Sequence, residues 1–128
     1  MYIFISCKKN RERWTYIHQM CSKLQISEYV IICGSNRTYL NKDNILYLNC
    51  PDEYCSLPLK MKMAFKVCLN LFPNAKGFLK VDDDVLLLSN TVYNVLSKHA
   101  FSSCATNYTR DADGTWHIGR CPGSPWNK

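Results

Sequence analysis

Several things are missing from this sequence of 128 residues, and each absence removes a class of function. No apolar run approaches the ~20 residues needed to cross a bilayer. Residues 1–7 already read as a core strand, which leaves no room for a charged leader followed by an apolar segment. Neither a signal peptide nor a membrane anchor is therefore expected, and the residues alone favour the cytoplasm. The cysteines, at positions 7, 21, 33, 50, 55, 68, 104 and 121, include no close pair that would clip zinc or exchange disulfides. Most are expected to be small buried hydrophobes, with Cys7, Cys33 and Cys50, each at the end of a strand-like run, read as reduced thiols, and disulfides plausible only in a secretory lumen. A Gly-rich phosphate loop and the P-loop Lys-Ser/Thr pattern are both absent, which sets aside P-loop phosphoryl transfer. No basic stripe interleaved with aromatics marks a nucleic-acid groove. Repeats, linkers and low-complexity stretches are also missing, so residues 1–128 are expected to form a single domain.

What is present is an ordinary globular composition, 47% hydrophobic and 20% charged, with Lys and Arg exceeding Asp and Glu by 16 to 10. The formal charge of +6 favours an anionic partner, such as a nucleotide phosphate.

Residues 2–7 and 29–33 are short, continuous apolar runs rich in β-branched and aromatic residues, as buried strands require. A third run, 45–48, ends at Cys50 and Pro51, and a fourth, 77–81, runs straight into three acids. Between the first two strands, Trp14, Ile17, Met20, Cys21 and Leu24 recur at helical spacing. The polar stretch between the second and third strands reads as turn-like. Pro58 opens a longer helix whose apolar face is expected at Leu59, Met63, Val67, Leu69 and Leu71, with Lys60, Lys62 and Lys66 on the rest. Beyond the acids, residues 85–88 resume an apolar run. A further helix over 91–98 and strands near 102–108 and 116–119 complete the expected order. This alternation predicts an α/β, Rossmann-like layer structure with a mostly parallel sheet flanked by helices.

Asp82, Asp83 and Asp84 follow a buried strand, where three adjacent carboxylates repel one another and are costly to desolvate. A divalent cation relieves both penalties, and carboxylate oxygens suit Mg²⁺ or Mn²⁺. In an extended chain Asp82 and Asp84 share a side, while Asp83 points elsewhere or turns in at a bend. Ligands of open α/β sheets gather beyond the carboxyl ends of the strands, so the 8–13 loop, the 34–37 loop and the acids are expected together at that edge.

The string Phe78-Leu79-Lys80-Val81-Asp82-Asp83-Asp84-Val85 resembles the DxD strand of GT-A glycosyltransferases of the β-1,3-galactosyltransferase and Fringe-like kind. Upstream, Asp52-Glu53-Tyr54 followed by Leu57-Pro58-Leu59-Lys60 is similar to the same family's Asp-x-Tyr segment before its long helix. Arg11-Glu12-Arg13-Trp14 resembles its helix start after the first strand, and Trp116-His117-Ile118-Gly119-Arg120-Cys121 resembles a segment found after the DxD region. The resemblance spans nearly the whole chain and corresponds to the N-terminal, nucleotide-sugar half of such a domain, truncated before the rest.

The resemblance implies an inverting hexosyltransferase that moves sugar from a UDP-sugar to a hydroxyl of a glycan or protein. It implies Mn²⁺, or Mg²⁺, bridging the two phosphates. Asp84 would be the direct metal ligand with Asp82 beside it; Asp82 and Asp83 would support the ribose or the metal's waters, and Arg13 and Lys60 would lie near the nucleotide. The family's general base and a late metal-binding His come from its C-terminal half, so no catalytic base is assigned; Asp111, Asp113 and His117 are the local candidates. The family usually works in the Golgi behind a membrane anchor. Two other readings fit the same residues: an inactive transferase relic that still binds nucleotide and metal, and an interaction module completed by a partner chain.

Overall fold

The computed structural model describes residues 1–91. Its five strands are β1 (Tyr2–Ile5), β2 (Tyr29–Ser35), β3 (Tyr39–Leu40), β4 (Ile45–Asn49) and β5 (Leu79–Asp82), in the spatial order β3-β4-β2-β1-β5. β1, β2, β4 and β5 run parallel, with Ile3 opposite both Val30 and Lys80. β3 pairs antiparallel with β4 and makes the sheet mixed. The two helices are α1 (Arg11–Lys23) and α2 (Leu57–Leu71).

The helices lie on opposite faces because the two crossovers run in opposite directions with one handedness. α1 carries the chain from β1 to β2, and α2 carries it from β4 back past β1 to β5. Alternation along β1 serves both layers. Tyr2 and Phe4 pack with Trp14, Ile17 and Cys21 of α1, whereas Ile3 and Ile5 pack with Ala64 and Cys68 of α2. With both faces covered, all four residues of β1 are buried. Each of its large side chains stabilises the fold by about 1.5–3 kcal/mol.

The structure confirms the α/β class with a mostly parallel sheet and revises four details. In α2 the buried stripe is Lys60, Ala64 and Cys68, while Leu59, Leu69 and Leu71 are exposed. Lys62, Lys66 and Asn70 recur every four residues and mark the solvent side, while Lys60 turns inward to its ion pair with Asp52. The 85–88 run is no core segment: Leu87 alone is buried, and Val85, Leu86 and Leu88 face solvent. The stretch after β2 contains the short strand β3 rather than turns alone. Cys7, Cys33 and Cys50 are free thiols as expected, as are the buried Cys21 and Cys68, whereas Cys55 is disulfide-bonded. The helix and strands expected over residues 92–119 lie outside the described residues.

Candidate functional site

The strand order reverses between β1 and β5: the chain leaves β1 toward β2 and β4, then returns to β1's other side as β5. At such a switch point the loops beyond the two carboxyl ends diverge and leave a crevice. A cleft of about 590 Å³ opens there, bounded by Ser6, Asn10, Arg13, Lys60 and the three acids.

Asp83 turns inward. Its Oδ2 accepts hydrogen bonds from the Ser6 hydroxyl (2.6 Å) and the Asn10 amide (2.9 Å), and its Oδ1 pairs with the Arg13 guanidinium at 2.7 Å. The Trp14 indole N–H donates to Ser6 Oγ at 2.8 Å, so the hydroxyl is held from both sides. Hydrogen bonding to Asp83, then its charge, pushes the Arg13 pKa above its ordinary value. Burial of the Asp83 side chain follows from this pairing; it is 9% exposed.

Asp82 and Asp84 stay open, with side chains 52% and 68% exposed. Asp82 pairs with Lys80 beside it on β5, and Asp84 lies 3.9 Å from Arg13.

A second carboxylate organises the far wall. Asp52 accepts the Gly34 N–H and the Lys60 ammonium (2.6 Å) on Oδ1, and the Lys8 N–H (2.6 Å) on Oδ2. Lys60, 3% exposed, also donates to the Ser6 carbonyl at 2.9 Å. Burial of a lysine is tolerable here because two oxygens receive its protons. Gly34 is required by the close approach: a Cβ there would stand 2.7 Å from the Cys50 carbonyl oxygen and 2.8 Å from Asp52 Cα.

Arg13, Lys60, Asp82, Asp83 and Asp84 thus border one cleft. Ser6 and Asn10 join them without any sequence signal beyond their position after an apolar strand. Asp52 stood in the family-like Asp-x-Tyr segment, yet nothing in the sequence pairs it with Lys60. His18 sits apart, its Nδ1 2.7 Å from the Tyr29 hydroxyl. His99, Asp111, Asp113 and His117 lie outside the described residues. Among the described residues no three or more His, Cys, Asp or Glu side chains gather closely enough to hold a metal by themselves. Mg²⁺-type cations commonly take one or two carboxylates and complete their shell with substrate phosphates and water, and Asp82 and Asp84 fit that donor chemistry.

An α/β sheet with an acid-rimmed crevice at its switch point has the layout in which open α/β sheets hold their ligands. The sequence model of the galactosyltransferase family matches residues 10–112, and the chain belongs to that family. Membership makes it a glycosyltransferase by descent, with a nucleotide sugar and an acceptor as partners. No curated protein and no solved structure matches the chain. No helix among the described residues is long and apolar enough to cross a membrane.

Proposed function

We propose that the β1–β5 crevice is the donor site of an inverting, divalent-metal-dependent hexosyltransferase that takes a UDP-sugar and delivers the sugar to a hydroxyl of a glycan or protein. The observation that carries this reading is the presence of two exposed carboxylates, Asp82 and Asp84, on a cleft that Arg13 and Lys60 also line, in a galactosyltransferase-family chain.

Asp84 and Asp82 would hold the cation, Asp84 as the more exposed and less committed ligand. When bound, Mn²⁺ or Mg²⁺ would neutralise charge growing on the departing diphosphate. Arg13 stands at the same rim to bind the diphosphate, held in direction by Asp83. Lys60, buried against Asp52 and the Ser6 carbonyl, would add positive charge to the cleft wall near the nucleotide.

Calorimetric titration of UDP into the purified chain, with and without Mn²⁺, tests the proposal. Binding should require Mn²⁺, and Asp84→Ala should weaken it about 10-fold or more while leaving the fold intact. Metal-independent binding, or an Asp84→Ala variant that binds as tightly as the parent, would refute it.

A further inference from the structure

Three adjacent carboxylates at the end of β5 would drive their own turn open by repulsion. The turn's backbone closure is weak, a single 3.3 Å bond from the Val85 N–H to the Asp82 carbonyl. What holds it is the side chain of the middle acid. Asp83 is bound by Ser6, just past the end of β1, and by Asn10 and Arg13 at the start of α1. Ser6 is fixed in turn by Trp14, which is buried in the α1 core. The path Trp14–Ser6–Asp83 therefore links the turn to the buried core beneath α1.

We propose that Asp83 is a positioning residue and not a ligand: it clamps the turn after β5 against β1 and α1, and thereby sets how Asp82 and Asp84 face the cleft. Its three donors account for most of a carboxylate's accepting capacity, and its side chain is the least exposed of the three acids. Substitution at Asp83 should thus affect the site through geometry, and substitution at Asp84 through loss of a ligand. The clamp stands on these contacts alone; its consequence for metal binding rests on the donor-site reading.

Native-state hydrogen exchange on the full chain tests the clamp directly. Asp83→Asn and Arg13→Met, which break it from opposite sides, should each speed exchange of the Val85 amide about tenfold or more, with Phe4 in β1 unchanged. Unchanged Val85 exchange in both variants overturns the proposal. Cadmium provides the second arm, read as a difference spectrum against the parent chain with UDP present. Asp84→Cys should gain a cadmium–thiolate absorption band and Asp83→Cys should not. A band in Asp83→Cys makes that position a ligand and overturns the proposal. No band in either variant, with Val85 exchange accelerated as expected, refutes the donor-site reading and sustains the clamp.

Discussion

Asp52 gathers donors from the exit of β1, the end of β2 and the second turn of α2, so one carboxylate joins three segments that are far apart in sequence. Lys60→Met should therefore destabilise the chain by about 2–4 kcal/mol, because it leaves a largely buried carboxylate short of a partner. Combining it with Asp52→Leu should recover part of that loss, and urea unfolding of the two variants measures both. Gly34→Ala should cost about 1–3 kcal/mol by forcing a methyl group against backbone. The buried thiols supply a pH test. Desolvation raises Cys21 and Cys68 to about 11 and Cys33 to about 12, against an ordinary value of 9.0. Folding keeps these thiols neutral, so their contribution is complete below pH 9.0 and is lost as pH climbs to about 11–12. Urea midpoints should fall across that window, and alkylation of these thiols in the native state should lag far behind the unfolded state. At this scale the sequence revealed the acids, and the family resemblance named Arg13 and Lys60, but the burial of Lys60 against Asp52 was concealed, since a lysine in a helix reads as solvent-facing until its partner is known.

The helices show how local rules and tertiary contacts divide the work. α1 ends in a Schellman arrangement: Gln25 has φ 55°, its N–H bonds to Ser22, and the Ile26 N–H bonds to Cys21 at 2.8 Å. Glutamine bears the left-handed conformation at a cost that glycine avoids, so Gln25→Gly should stabilise the chain by about 0.5–1 kcal/mol in thermal unfolding. α1 was legible because its apolar residues recur on one stripe and the rest are polar. α2 was legible as a helix but its buried face was misread, because Leu59 and Leu69 lie exposed beside its polar stripe and Lys60 turns inward to Asp52. Two substitutions separate the observed face from the expected one. Leu69→Lys should shift stability by no more than about 0.5 kcal/mol, whereas Ala64→Phe should cost about 1–3 kcal/mol by overpacking.

For the whole molecule, the doubly covered sheet could be read from strand runs without alternation, because only strands buried on both faces show that pattern. The switch point could not, since it depends on which side of β1 the last strand joins, and no residue of β5 encodes that choice by itself. Yet the switch point is what places the acids beside Ser6, Asn10 and Arg13, and it gives the donor-site account its geometry. Paramagnetic broadening by Mn²⁺ tests that account most directly, recorded on backbone amides of the full chain with UDP present. Broadening should centre on residues 6–10 and 82–85 and spare residues 71–75, at the far end of α2. Broadening centred away from the β1–β5 crevice, or unaffected by UDP, would contradict it.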